Sequence, residues 1–227
     1  MPQRVARTTG SPVVAIDGPA GSGKSSVARA VAARLGLRYL DTGAMYRAVT
    51  WRALEQGLDP TDAVAMSGLA AAVRIEMATD PQDPGVRVDG RPVSAEIRSR
   101  AVANAVSAVS AHPGVRAPII AEQRRLIDGG GIVVEGRDIG TVVAPDADLK
   151  VFLTAAPAVR AARRHAEQPT EAAAGDTLSE IVRRDALDTD RTVSPLTAAA
   201  DAIVLDSSGR TLDEVVAAVL AQCASLA

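Results

Sequence analysis

Residues 18–25 read Gly-Pro-Ala-Gly-Ser-Gly-Lys-Ser, with glycines at 18 and 23 and a Lys-Ser pair closing the run. An apolar stretch, Val13 to Asp17, precedes it. An Ala-rich stretch follows, Ser25 to Leu35, with apolar residues at 27, 28, 31, 32 and 35 and Gly36 as a stop. Strand, glycine-rich turn and helix in that order form a cradle for phosphate. Glycines let backbone N–H groups turn inward, and the helix N-terminus adds partial positive charge. The spacing predicts a nucleotide-phosphate site over Gly18, Pro19, Ala20, Gly21, Ser22, Gly23, Lys24, Ser25 and Ser26. Lys24 is placed to reach the β- and γ-phosphates, and the Ser25 hydroxyl to ligate Mg²⁺. Asp17 is the nearest further metal candidate, through water. The motif specifies a nucleoside triphosphate, not a reaction.

Four more apolar runs, Arg38 to Leu40, Ile132 to Glu135, Leu149 to Leu153 and Ala202 to Leu205, are continuous rather than alternating. That pattern suits parallel strands covered on both faces. With helical patterns between them, the expected fold is α/β: a three-layer phosphate-loop architecture around a five-stranded parallel sheet. Thr177 to Glu180 and Thr211 to Glu214 each read as a capping box opening a helix. The stretch 60–110 breaks the alternation. Val73 to Ala78, Val86 to Val88 and Pro92-Val93 read as short strands, and Asp89-Gly90 is a hairpin signal, so a small antiparallel insert is expected there. His165 to Asp176 reads as a mobile loop and 160–176 as a lid. Residues 1–12 read as a disordered tail, leaving 13–227 as one domain.

Aromatics are only Tyr39, Tyr46, Trp51 and Phe152, so Ala, Val, Leu and Ile must build the core. Net charge is −2, which gives no bulk attraction to nucleic acid or acidic membranes. The single cysteine, Cys223, cannot form an intrachain disulfide and reads as a small apolar side chain on the last helix. No run approaches the roughly 18 apolar residues of a membrane span, and the start of the chain does not read as a signal peptide. A soluble cytoplasmic protein is expected. No N-K-x-D motif for guanine is present, which argues against a GTPase, and Val133-Val134-Glu135 matches a motor-ATPase acidic strand only loosely.

Arginines supply the other signal. Phosphoryl transfer to an acceptor phosphate gathers several negative charges, and catalysis rests on positioning and neutralisation. Thr42 to Arg47 follows the second strand, at the sheet edge where α/β folds bind ligands. Arg160, Arg163 and Arg164 share one helix face, as do Arg184, Asp188 and Arg191 if the helix persists. A kinase for another monophosphate, a small-alcohol kinase using Asp17, Asp41 or Asp138 as base, and a nucleotide sensor without turnover remain compatible with these residues.

Five ordered segments narrow the field: Ile16 to Ser25, Leu40 to Arg47, Val102 to Ser107, Glu135 to Val143, and Arg184 through Arg191 to Pro195-Leu196. Together they resemble the P-loop nucleoside monophosphate kinases, specifically the bacterial-type cytidylate kinases, from about Val13 to the C-terminal helix. The resemblance implies ATP as donor, CMP or dCMP as acceptor, and a monomer. It implies that the insert is an enlarged monophosphate-binding region. Thr42, Arg47 and Arg137 would hold the acceptor phosphate with Tyr46 beside them, Thr42 standing where the family often has Ser. Ser107, Arg116 and Asp138 would read the cytosine edge. Arg184 and Asp188 would face the ribose, Arg191 the transferring phosphate, and Arg160 and Arg163 the ATP lid. Lys24→Ala is expected to cut turnover by on the order of 100-fold or more in a folded protein, which steady-state rates on purified protein would check.

Overall fold

In the computed structural model, residues 11–167, 174–191 and 193–225 are described. The first half runs β1 (Val13–Asp17), α1 (Lys24–Leu35), β2 (Arg38–Asp41), α2 (Thr42–Glu55), α3 (Ala63–Ala72), β3 (Ile75–Met77), β4 (Val86–Val88) and β5 (Arg91–Pro92). A 3₁₀ turn (Glu96–Arg98) leads to α4 (Arg100–Ala111), α5 (Pro113–Ile127) and β6 (Ile132–Gly136). A π-helical turn (Ile139–Val143), β7 (Leu149–Thr154), α6 (Pro157–Glu167), α7 (Ala174–Thr189), β8 (Ile203–Asp206) and α8 (Leu212–Ala224) complete the chain.

The main sheet is parallel, in the order β2-β6-β1-β7-β8. β1 lies at its centre with all five residues buried. Its alternate side chains serve two layers. Val14 and Ile16 pack with Val27 and Val31 of α1 and Val216 of α8. Val13 and Ala15 pack with Ile127 of α5 and with Ile139 and Val143 of the π turn. Continuous apolar runs are what a sheet covered on both faces requires. β8 is the exception, an edge strand with Val204 largely exposed. Cys223 lies half-buried against the α1–α8 layer.

The insert is a three-stranded antiparallel sheet, β3-β4-β5. Asp89 and Gly90 both take positive φ at its hairpin, 50° and 81°, the conformation that two-residue loop demands. The stretch 60–110 is nevertheless more helical than expected. α3 opens on the Asp62 side chain, which caps Val64 and Ala65 N–H, and α4 opens on Ser99. These helices are rich in Ala and carry no charges beyond Arg100, so no polar face announces them. His112 is structural: its ring contacts the Pro60 carbonyl at the α4–α5 junction.

Three other expectations change. α6 continues to Glu167 and α7 begins at Ala174 within the stretch expected to be a loop, and its remaining residues, 168–173, lie outside the described residues. Thr177 therefore lies within α7 and does not open it. The tail expected over 1–12 lies outside the described residues up to residue 10, while the Ser11 and Pro12 carbonyls accept bonds from Gly131 and Ile132 N–H. The second capping box does form: Thr211 and Glu214 bond reciprocally at the start of α8. Thr211→Ala should lower the melting midpoint by about 2–4 °C while leaving steady-state kinetics unchanged; calorimetry and a rate assay test both.

Candidate functional site

A cavity of about 390 Å³ opens at the carboxyl ends of β1, β2 and β6. Its floor is the glycine-rich loop, its far wall α4 and the insert, and its roof α7. Gly21 shows why the loop needs glycine. Its φ is +74°, and a Cβ there would meet the Arg160 carbonyl at 2.8 Å. Lys24, first residue of α1, is buried and donates to the Pro19 carbonyl at 3.2 Å. Burial holds its amine well below the ordinary lysine value, and the Arg137 guanidinium lowers it further, with Glu135 opposing.

Two carboxylates pair with the cations around Lys24. Asp41 caps α2 by accepting from Ala44 N–H at 2.9 Å and pairs with Arg47 at 2.7 Å. Burial works against its charge, yet Arg47, Ala44 N–H and Arg98 hold its carboxyl below the ordinary value. Asp188, near the end of α7, is buried and accepts from Arg137 Nε at 3.0 Å. It also pairs with Arg191. Burial again opposes ionisation, and Arg137, Arg191 and Arg184 outweigh it. Arg184 is itself pushed down to about 10, chiefly by burial and then by Arg137, against the pull of Asp188.

The chain of polar contacts runs on into the far wall. Arg191 Nη2 donates to Ser110 Oγ at 3.0 Å, and Arg116 Nη1 to the Ser110 carbonyl at 3.3 Å. Arg116 pairs with Asp138, only 3% and 8% of the two side chains being exposed. The Arg116 guanidinium lies 5.2 Å from the centre of the Tyr46 ring. One network thus links Arg137, Asp188, Arg191, Ser110, Arg116 and Asp138. It aims charged and polar groups into a single pocket wall that Ser107 and Asn104 also line.

Of the residues expected from sequence, Ala20, Gly21, Gly23, Lys24, Ser25, Ser26, Thr42, Tyr46, Arg47, Ser107, Arg116, Arg137, Asp138, Arg184, Asp188 and Arg191 meet around this cavity. Four of the expected residues make contacts that the sequence did not announce. Arg160 turns onto the outside of the loop, donating to the Ala20 and Ala155 carbonyls and pairing with Asp185 at 2.6 Å. Arg163 likewise donates to the Ser22 carbonyl and to Ser207. Both brace the loop from behind, and Arg164 is the α6 arginine that lines the cavity. The Thr42 hydroxyl donates to the Glu135 carbonyl at 2.7 Å, so its proton is already committed to joining α2 to β6. Asp17 faces away from the cavity: its two oxygens accept from Ile139 and Gly140 N–H, each at 2.8 Å.

Glu135 is the residue that sequence reading undervalued. It stands next to last in β6, buried in the cavity, accepts from the Tyr39 hydroxyl at 2.5 Å, and bonds the Ser25 side chain. Burial raises its carboxyl above the ordinary value, and Asp41 raises it further, with Lys24 opposing. The signal was present in Val133-Val134-Glu135, an apolar strand ending in an acid.

Residues 14–225 match the family profile described as cytidylate kinase. A cytidylate kinase of Streptomyces avermitilis is 51% identical over 222 residues, spanning 97% of this chain and 96% of the relative. One from Nocardia farcinica is 51% identical over 208 residues, 90% of each chain. A gluconokinase structure from Sinorhizobium meliloti superposes with a TM-score of 0.50 at 20% identity, covering 98% of this chain and 95% of that one, a likeness of fold alone. Among the described residues no helix is long and apolar enough to cross a membrane.

Asp17 gives a pH test. Burial pushes its carboxyl up to about 6, against the backbone N–H bonds that favour its charge. An acid whose folded pKa is raised stabilises the fold while protonated, and that contribution is lost as pH rises from about 4 to about 6. The difference in melting midpoint between the wild type and Asp17→Asn, which cannot titrate, should shift against the wild type across that interval and flatten above it.

Proposed function

The chain belongs to the cytidylate kinase family and transfers the γ-phosphoryl group of ATP to CMP or dCMP, giving ADP with CDP or dCDP, and we propose that the cavity above the glycine-rich loop performs this transfer with Lys24 and a ring of arginines as its working groups. The observation that carries the assignment is the single cavity shared by Lys24 and Ser25 at one end and the Arg137–Asp188–Arg191–Ser110–Arg116–Asp138 network at the other. The loop would take the donor phosphates on its backbone N–H groups and the N-terminus of α1. The acceptor phosphate would lie near the N-terminus of α2, between Arg47 and Arg137.

An acceptor phosphate is already anionic, so the reaction needs no general base. It needs charge neutralised along the line of transfer. Lys24, Arg137, Arg184 and Arg191 are the candidates, and their mutual repulsion in a buried site favours a bound anion. At the far wall, Asp138 can accept from the exocyclic amine of cytosine, while Arg116 and Ser107 can donate to its ring nitrogen and carbonyl. Uracil presents a carbonyl where cytosine has the amine, which a carboxylate disfavours. The Arg116–Asp138 pair fixes both groups before the base arrives.

The residues fit a divalent cation beside Ser25. The half-buried Asp41 carboxylate holds back the ionisation of the buried Glu135 close to the Ser25 hydroxyl, and a metal ion relieves that repulsion. Mg²⁺ bound through Ser25, with Glu135 behind it, would draw charge from the β- and γ-phosphate oxygens. Tyr39 holds Glu135 in place from β2. We place the enzyme in the cytoplasm as a monomer.

ADP release from ATP across CMP, dCMP, UMP, dTMP, AMP and GMP tests the acceptor; activity centred on another monophosphate would void the base assignment. Asp138→Ala should lower the CMP-to-UMP ratio of kcat/KM by at least tenfold, on the scale of a lost charge-assisted hydrogen bond. Glu135→Gln should raise the Mg²⁺ concentration for half-maximal rate by about tenfold, read by metal titration at saturating ATP.

A further inference from the structure

Two of the charged residues that complete the far wall do not sit on a regular element. Arg137 and Asp138 fall between the end of β6 and the π turn, where the chain leaves the sheet. Something must fix that departure, or the base-facing carboxylate has no defined position. Asp17 occupies the place from which it can be fixed. It is the last residue of β1, in register with Gly136 on one side and Phe152 on the other. Its carboxylate is buried and accepts from two successive backbone donors, Ile139 and Gly140 N–H, at 2.8 Å each. These are the residues that directly follow Asp138.

The rest of the turn leaves little freedom. Val142 and Val143 N–H close onto the Asp138 carbonyl at 2.9 and 3.1 Å. Arg124 of α5 donates to the Val142 and Val143 carbonyls at 2.7 and 3.2 Å. The Lys150 stem packs against Gly140, where a Cβ would approach it at 3.1 Å, and its amine is held by both oxygens of Asp201. The turn is therefore gripped from β1 at its start and from α5 at its end.

We propose that Asp17 is the positioning residue for acceptor-base discrimination, acting through the two backbone bonds that set the direction in which Asp138 leaves β6. Because Gly18 follows it in the chain, the same residue ties the donor loop and the base-reading turn to one strand end. The role calls for a carboxylate. Two donors converge on one side chain, and only a carboxylate offers two acceptors at a fixed separation. Asparagine keeps the shape but turns an N–H₂ donor towards a donor. The inference rests on the base-reading role of Asp138.

The test compares Asp17→Asn, Asp138→Ala, their double variant and Arg124→Met, which loosens the far end of the turn. For each, kcat and KM are measured with CMP, UMP and ATP. Asp17→Asn should raise KM for CMP at least tenfold, keep KM for ATP within threefold, and lower the CMP-to-UMP ratio of kcat/KM at least fivefold. The double variant should have no lower a ratio than Asp138→Ala alone, since Asp17 acts through that residue. Arg124→Met should shift the ratio in the same direction by a smaller factor, and serves where Asp17→Asn does not fold. A parallel loss for CMP and UMP, an equal rise in KM for ATP, or an additive double variant overturns the proposal. If Asp138→Ala itself leaves the ratio unchanged, the base-reading assignment fails and the proposal with it. A lowered ratio in Asp138→Ala beside an unchanged one in Asp17→Asn and Arg124→Met rejects positioning alone.

Discussion

Positive charge crowded into one cavity is the constraint around which the site is arranged. Arg137 and Arg184 lie close enough to weaken the hold of Lys24 on its proton, and Arg137 does the same to Arg184. Burial alone would make this costly. Asp41, Glu135 and Asp188 offset it, each from a different element: the start of α2, the end of β6 and the end of α7. The balance is incomplete, since ten Lys and Arg side chains line the cavity against five Asp and Glu. A polyanionic ligand supplies the remainder, and the free energy of that completion is available for binding and for stabilising the transferring phosphoryl group.

Putting three elements around one charge cluster requires the β2-β6-β1-β7-β8 order. With β1 central, the donor loop opens directly beside the ends of β2 and β6. Asp41 and Glu135 are therefore neighbours in the sheet register, as well as in the cavity. The insert and α4 add a far wall that the five-stranded core cannot build by itself. α5 completes it, carrying Arg116 to Asp138 and Arg124 to the back of the π turn from the same helix.

How much of this could be read from the chain depended on whether the information was local. The loop, all five parallel strands and the Asp89-Gly90 hairpin are set by short stretches, and each appeared where expected. The Arg184, Asp188 and Arg191 spacing also told its story, even though Arg191 lies past the last residue of α7. Orientation was less legible. Arg160, Arg163 and Arg164 share a face at helical spacing, but nothing in that spacing says whether the face looks into the cavity or onto the loop's carbonyls. Asp17 and Glu135 both end apolar strands as lone acids. Only the neighbouring strand, in register, decides that one reaches a backbone turn and the other the Ser25 hydroxyl. α3 and α4 escaped notice because their exposed positions are held mostly by Ala, so they lack the charged stripe that marks a surface helix.

The outward turn of Arg160 and Arg163 changes the mechanical reading of α6. By bonding the Ala20 and Ser22 carbonyls, the two arginines make α6 part of the donor frame. Arg160 then pairs with Asp185 of α7, one turn before Asp188, which holds Arg137 and Arg191. The α6–α7 pair thus grips the donor loop at one end and supplies the acceptor wall at the other. Anions that draw Arg137 or Arg191 from Asp188 exchange one partner for another within that same pair of helices. The glycine-rich loop and the far wall of the cavity are therefore joined through ion pairs on one pair of helices.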